Sequence, residues 1–226
     1  SSVIGSVRSM SSEIMGELSA SSATWQTFEG NMAIFGKSKK EIAGVKKELQ
    51  AFAEQTIYSS SDMASTYAQL AAVGTENTLE LVKGFGGLAS AAESPQQAMK
   101  TLSQQATQIA SKPKVQWEDF KLILEQTPAG IAAVAKSMGM STSDIVTAVQ
   151  DGTIATKDFF DAIAETGTNE GFTEMATKFK TVGQAMDGLS EGLTNKMQPA
   201  FDKASEYGIS FVSKLAERIE SVNFSG

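Results

Sequence analysis

The sequence predicts an all-α protein, a compact bundle of short helices followed by a long, coiled-coil-like C-terminal helix that is either kinked or straight. Apolar residues recur at helical spacing, the chain has only four prolines, and runs of β-branched residues are few. About 41% of the 226 residues are apolar, enough to build one or two domains. We divide the chain into a Ser-rich amphipathic lead-in segment (1–24), a globular helical domain (25–171) and a long heptad-patterned helix or helical hairpin (172–226).

Four helices are predicted in the first part of the globular domain. One spans 37–55, where apolar residues form one stripe and lysines cover the opposite face. The next begins after Ser61 as its N-cap and ends at Val73. A third spans 78–92. The fourth starts at Ser94–Pro95, a cap followed by proline at the first helical position. We interpret its Gln-rich outer face as solvated surface: Gln96, Gln97, Gln104, Gln105 and Gln108.

The third of these helices contains Gly84, Gly86 and Gly87. Each glycine weakens a helix by roughly 1 kcal/mol relative to alanine. No predicted strand precedes them and no Lys-Ser/Thr pair follows, as a phosphate-binding loop would require. We therefore interpret these glycines as sites of close helix packing.

Two stretches, 114–127 and 153–166, resemble each other at an offset of 39 residues. Each has an apolar anchor, a polar pair and a helix whose Phe and aliphatic residues share one face. Two units are too few for a solenoid, so we expect both inside one helical domain. The matched pairs are Val115/Ile154, Asp119/Asp158, Phe120/Phe159, Leu124/Ile163 and Thr127/Thr166. Four short helices are predicted here: 117–126, 128–138, 143–150 and 156–165. Their predicted core residues are Trp117, Phe120, Leu124, Ile131, Val134, Met138, Ile145, Val149, Phe159 and Ile163.

Beyond residue 172, apolar residues follow a heptad pattern. The candidate oligomer seam consists of Met175, Phe179, Val182, Met186, Leu189 and Leu193. Two interpretations stay open: an oligomerising rod, or a helix that folds back on its own domain. Pro199 favours a kink or hairpin nearby, because proline inside a helix removes a hydrogen bond. The chain starts at Ser1 without Met, so we expect a piece of a longer protein.

Composition excludes several function classes. The chain has no Cys and no His, which removes disulfides, the usual zinc sites, Cys nucleophiles and His general bases. A net charge of −7 argues against non-specific DNA binding, and no apolar run is long enough to span a membrane. The remaining acid–base candidates are Glu118, Asp119, Asp158 and Asp161. The helix dipole accounts for the first three, at helix starts. We predict no catalytic, cofactor-binding or metal-binding residues, and therefore no enzyme.

Several short motifs occur in a fixed order along the chain. They are Gln108-Ile109-Ala110, Lys114-Val115, Trp117-Glu118-Asp119-Phe120, Gln126-Thr127-Pro128, Met138-Gly139-Met140-Ser141, Ser143-Asp144-Ile145, Gly152-Thr153-Ile154 and Asp158-Phe159-Phe160. Together with flanking helical patterns they cover about residues 28–192. In this order and spacing they resemble the N-terminal domain of bacteriophage or prophage tail tape measure proteins.

The resemblance implies a structural virion protein, a fragment of the tape measure protein that sets tail length during assembly. Such a protein occupies the tail tube lumen until genome ejection, and the bacterial cytoplasm during assembly. The implied partners are tail assembly chaperones, the tail tube protein, tail-tip proteins and other copies of itself, with no specific nucleic-acid binding. Two alternatives stay open: a helical interaction module of a secreted or cell-surface protein, such as a toxin or effector fragment, and a muralytic enzyme.

Overall fold

A computed structural model describes residues 22–178 and 192–199, which form eleven helical segments and no strand. The predicted all-α class is confirmed. The segments are α1 (22–34), α2 (Lys39–Gln55), α3 (Ser60–Ala72), α4 (Thr78–Ser90), α5 (Pro95–Ala110), α6 (Trp117–Gln126), α7 (Pro128–Ser137), α8 (Thr142–Gln150), α9 (Thr156–Gly167), α10 (Glu170–Thr177) and α11 (192–199).

Side-chain caps explain where several helices begin. The Ser38 hydroxyl accepts a hydrogen bond from the Glu41 amide at 3.1 Å and starts α2. The predicted Ser61 cap of α3 is wrong, because Ser61 already lies inside the helix. The cap is Ser59, whose extended backbone lets its hydroxyl accept from the amide of Asp62 at 3.1 Å. Pro95 opens α5 as predicted, although Ser94 makes no side-chain cap hydrogen bond.

Helices α4 and α9 cross at the centre of the bundle, and glycines let their backbones touch. A Cβ added to Gly84 would lie 2.6 Å from the carbonyl oxygen of Ile163. One added to Gly87 would overlap the carbonyl of Gly167, and one added to Gly167 would overlap the carbonyl of Gly84. Gly86 has the Phe52 ring at 2.9 Å from its Cβ position. The interpretation of these glycines as close packing sites is confirmed.

The two similar stretches meet at their starting residues. The Val115 amide donates to the Ile154 carbonyl at 3.0 Å, and an isolated antiparallel bridge joins Lys114 to Ala155. The rings of Phe120 and Phe159 also contact each other, with centroids 5.9 Å apart. Matched residues therefore face one another, as a local pseudo-twofold axis would place them.

The predicted core is largely confirmed. Seven of the ten predicted residues are buried, and Trp117, Leu124 and Met138 are half-buried against them. The seven are Phe120, Ile131, Val134, Ile145, Val149, Phe159 and Ile163. Helix α1 adds Trp25, Phe28 and Met32, spaced three and four residues apart on its inner face.

The predicted long C-terminal helix is not observed as one element in the residues that the structure describes. Helix α10 ends at Thr177, and Lys178 has an extended backbone, with φ −101° and ψ 111°. The buried Ala176 belongs to α10, which packs on α4. A heptad pattern indicates one apolar face, but neither its partner nor an unbroken helix follows from it. The predicted domain boundaries at 24/25 and 171/172 fall within α1 and α10.

Candidate interaction surfaces

The structure describes two of the six predicted seam residues. Met175 lies on α10 with 40% of its surface exposed, and Leu193 is half-buried on α11. Phe179, Val182, Met186 and Leu189 lie outside the described residues. The seam therefore stays a prediction.

Helix α11 is attached to the bundle by a buried polar contact. The Asn195 amide nitrogen donates to a Glu54 carboxylate oxygen at 3.1 Å, and the Ser60 hydroxyl donates to the Asn195 amide oxygen at 3.2 Å. These contacts join α11 to the end of α2 and the start of α3. Sequence reasoning took Asn195 only as part of a possible kink before Pro199. No sequence signal distinguishes Asn195 from the other polar residues of this segment, because an amphipathic helix always carries polar side chains.

A polar cleft of about 460 Å³ lies between α3 and α5. Along it, the Thr66 hydroxyl donates to the Ser103 hydroxyl at 3.0 Å, and Ser103 donates to the Met99 carbonyl at 2.8 Å. On its wall, the Gln96 amide donates to the Ile57 carbonyl at 3.1 Å. The hydroxyls of Thr66 and Ser103 and the amide of Gln96 therefore have partners within the protein, and we assign no ligand to the cleft.

The predicted solvated Gln face of α5 is correct for four residues and wrong for Gln105. Gln96, Gln97, Gln104 and Gln108 are exposed, whereas Gln105 is buried and its side-chain oxygen has no hydrogen-bond partner. The physical reason is helical spacing, since Gln105 lies three residues after Leu102 and four before Ile109, both buried. It therefore belongs to the inner stripe of α5.

The four acid–base candidates occupy unlike environments. Glu118, Asp158 and Asp161 are exposed, while Asp119 is buried with one carboxylate oxygen lacking a partner. Within residues 22–178 and 192–199, no three Asp or Glu side chains form a group that could hold a metal ion. No hydrogen bond or ion pair joins these four carboxylates to one another in that part of the chain.

Two buried tyrosines, Tyr58 and Tyr67, have raised pKa values. Burial raises the pKa of Tyr58 far above its ordinary value, and its hydroxyl donates to the Gly86 carbonyl at 2.6 Å. Burial, followed by the negative charge of Glu41, raises the pKa of Tyr67. Because Tyr58 donates to the backbone of α4, its role in this geometry is to hold the bundle together.

Five large apolar side chains are exposed among the described residues: Ile34, Phe35, Val73, Leu122 and Met175. Ile34 is the most exposed, at 80%. Sequence reasoning missed Ile34 and Phe35, although an Ile-Phe pair directly before Gly36 and three lysines was visible. None of the described helices is both long enough and apolar enough to cross a membrane.

The described residues form an all-α module whose helices pack closely through glycines and whose surface exposes several large apolar side chains. The chain matches the family model of tape measure proteins over residues 16–203, and it belongs to this family. Tape measure proteins are structural components of phage tails, so the chain has a structural role in a phage tail. No curated protein and no solved structure matches the chain significantly.

Proposed function

We propose that this chain is a globular part of a tape measure protein that sets tail length during tail assembly. It occupies the tail tube lumen until genome ejection, and the bacterial cytoplasm before that. The observation that carries this proposal is the family match over residues 16–203. The net charge of −7 supports it, because an acidic protein in the lumen would not hold the DNA that passes through.

The lumen location can be tested by thiol labelling, since the chain has no Cys. A single Ser137→Cys change adds one thiol at an exposed position near the end of α7. In virions we expect a bulky maleimide reagent to leave this thiol unlabelled until genome ejection is triggered. The Cys-free parent chain gives the background signal. Fast labelling in intact virions would contradict the lumen location.

The length-setting role can be tested by lengthening the heptad-patterned segment of the chain. An extended helix adds about 1.5 Å per residue, so four inserted heptads should lengthen the tail by about 42 Å. We would insert them after Val222, in the heptad-patterned segment, and measure tails by electron microscopy. A Gly/Ser insert of equal length is the control, because a flexible chain has no fixed rise. Tails of unchanged length with the helical insert would count against a ruler role for this segment.

Self-association through the predicted seam is part of the same proposal. Replacing Phe179, Met186 and Leu193 together by Ser removes three apolar seam positions. If the seam joins copies, light scattering should show the mass of the full chain falling toward that of a monomer. An unchanged mass would mean that the seam packs within one chain. Tail assembly chaperones, the tail tube protein and tail-tip proteins are the other proposed partners.

A further inference from the structure

The turn between α1 and α2 presents apolar and basic side chains together, and we name it the basic corner: Ile34, Phe35, Lys37, Lys39 and Lys40. Ile34 is 80% exposed and Phe35 is 44% exposed, and the three lysines are also exposed. A Schellman-type turn fixes its shape. Gly36 has φ +81°, and the amide of Lys37 donates to the Met32 carbonyl at 3.0 Å. The apolar side chains are therefore held outward by a closed turn.

The basic corner is locally positive on an acidic protein. Residues 31–47 contain five lysines and one glutamate, whereas the whole chain has a net charge of −7. In the part of the chain that the structure describes, Lys37, Lys39 and Lys40 form no ion pair. Their positive potential is therefore available to attract an anionic surface.

Helix α6 carries a surface of matching character, which we name the acidic face: Glu118, Leu122 and Glu125. Leu122 is 40% exposed. The two glutamates lie four residues before and three after it, so all three share one side of the helix. Both glutamates are exposed, and among the described residues neither forms an ion pair. Lys121 lies at the edge of this face. Residues 115–178 as a whole contain ten acidic residues and four lysines.

We propose that the basic corner of one copy docks onto the acidic face of a second copy of this chain. The apolar pair Ile34 and Phe35 meets Leu122, and the lysines of the corner meet Glu118 and Glu125. Two basic corners would repel each other, so a symmetric contact of corner with corner is disfavoured. The proposal goes beyond the tail role and does not use the C-terminal seam.

The two surfaces lie on different parts of the bundle. Helix α2, which follows the corner, packs on α3 and α4, whereas α6 packs on α5, α7 and α8. Each copy therefore offers one surface to each of two neighbours, which is a heterologous contact. Such contacts generate rings or open filaments instead of closed dimers.

The physical terms of this contact predict its salt dependence. Burial of three exposed apolar side chains gives attraction that salt does not screen. Exposed ion pairs add little stability each, but opposite fields speed up association and select the orientation. Raising the ionic strength from about 0.01 M to about 1 M shortens the screening length from about 30 Å to about 3 Å. We expect self-association to weaken across this range.

A charge-swap experiment with the full chain tests the proposal. One variant carries Lys39→Glu and Lys40→Glu in the basic corner, and the other carries Glu118→Lys and Glu125→Lys in the acidic face. Each variant alone places like charges at the contact, so its association constant should fall at least about tenfold. An equimolar mixture, with one variant fluorescently labelled, should associate again in sedimentation velocity. A single chain that carries all four changes should also self-associate.

Two controls separate this contact from a general charge effect. Reversing Lys112 and Lys136, which are exposed and lie elsewhere, should leave association near that of the parent chain. A second control changes Asp158, Asp161 and Glu165 of α9 to Lys. No exposed apolar residue lies among these three, so this variant should lose less self-association than the α6 variant. The triple Ser variant of the C-terminal seam should keep the salt-dependent part of self-association. This result would distinguish the proposed contact from the seam.

Several results would overturn the proposal. These are a parent chain that stays monomeric at low salt, a mixture that fails to associate, or an α9 variant that loses more association than the α6 variant. Binding of the basic corner to vesicles of anionic phospholipid or to duplex DNA, without self-association, would assign this surface to a different partner. Recovery in the mixture, together with loss in each variant alone, would establish the contact.

Discussion

The two similar stretches of the chain, 114–127 and 153–166, occupy very different places in the bundle. Helix α6 of the first is buried only at Asp119, Phe120 and Ile123. Helix α9 of the second is buried at eight of its 12 residues. The two stretches differ in the residues at positions outside the shared pattern. At the offset of 39, Glu125 corresponds to Ala164, and Lys121 corresponds to Phe160.

The small residues of α9 let it reach the backbone of α4, and α6 has no equivalent contact. The Cα of Ala164 lies 2.9 Å from the Cβ position of Gly84, and Gly167 meets both Gly84 and Gly87. A Glu side chain at the Ala164 position would not fit between two backbones this close. The shared pattern therefore specifies the local unit, and the residues that differ specify which unit becomes central.

The largest expected effect comes from adding one methyl group at the crossing. Gly167→Ala places a Cβ on the carbonyl of Gly84, where only backbone lies nearby, so neither helix can yield by rotating a side chain. We expect the free energy of unfolding to fall by about 3 kcal/mol or more, measured by urea denaturation. The matched control is Gly44→Ala in α2, where the Cβ would meet nothing within 4 Å. That change should be neutral or stabilising by about 0.5–1 kcal/mol.

The next comparison uses a matched pair of positions in the two stretches. Phe160 is buried and its ring packs edge-on against Phe85, with centroids 6.2 Å apart. Phe160→Ala should cost about 3 kcal/mol of unfolding free energy, through lost burial and the cavity that remains; this is the low end for such a change, because 8% of the residue is already exposed. Lys121→Ala, at the corresponding exposed position of α6, should change stability by less than about 0.5 kcal/mol. Equal costs at the two positions would contradict the central placement of α9.

Much of this fold could be predicted from the sequence, because helical spacing and helix caps act locally. The spacing of Phe120, Ile131, Val134 and Ile163 identified core residues, and the proline at position 95 identified the start of α5. The glycines of α4 indicated close packing, although the partner helix could not be named. The residues that differ between the two stretches decide which one faces those glycines, but helical spacing alone does not identify it, since the contact joins helices that are distant in sequence.

The candidate surfaces were harder to predict. The basic corner depends on which side of α1 is covered and where that cover ends. Phe35 continues the spacing of the buried Trp25, Phe28 and Met32 and is still 44% exposed, whereas Ile34 lies off that stripe. The heptad pattern after residue 172 predicted a long helix, kinked or straight, or a helical hairpin, whereas α10 ends at Thr177, packs on α4 and is followed by an extended Lys178. Asn195 is buried because Glu54 and Ser60, far away in sequence, supply its hydrogen-bond partners.

A change at Tyr58 tests whether its hydrogen bond to α4 stabilises that helix on the side opposite to the contact with α9. Tyr58→Phe removes the hydroxyl that donates to the Gly86 carbonyl and leaves that buried acceptor without its partner. We expect a loss of about 1–3 kcal/mol of unfolding free energy near neutral pH. The folded protein raises the Tyr58 pKa, so it retains a proton that the unfolded chain releases above the ordinary value of 10.0.

The sign of this effect gives a pH test. The contribution of Tyr58 is fully present below pH 10.0 and is lost as pH rises above it. Unfolding free energies measured by denaturant at increasing alkaline pH should fall for the parent chain and fall less steeply for Tyr58→Phe. Tyr67 has a pKa raised in the same direction, so some alkaline sensitivity should remain in the variant. Identical slopes for the two proteins would mean that Tyr58 is not the buried group that titrates.

The smallest expected effect is a difference in stability between changes at two matched threonines, Thr127 and Thr166, which end the similar stretches. Thr127 is fully buried; its hydroxyl donates to the Leu88 carbonyl at 2.9 Å and accepts from the Gly130 amide at 3.2 Å. Thr166 is also buried, but its hydroxyl has no hydrogen-bond partner. Thr127→Val should therefore cost about 1–2 kcal/mol, because it removes the N-cap of α7, leaves the buried Gly130 amide without that acceptor and removes the hydrogen bond to the Leu88 carbonyl.

Thr166→Val should be neutral or slightly stabilising, because it replaces an unpaired buried hydroxyl with a methyl group of similar size. The two variants are chemically identical changes at corresponding positions, so each serves as the control for the other in the same denaturation series. A larger loss at position 166 than at 127 would show that the Thr166 hydroxyl has a partner in solution. The terminal threonines of both stretches would then be hydrogen-bonded. The packing of α9 against the glycines of α4 would remain as the difference between the two stretches.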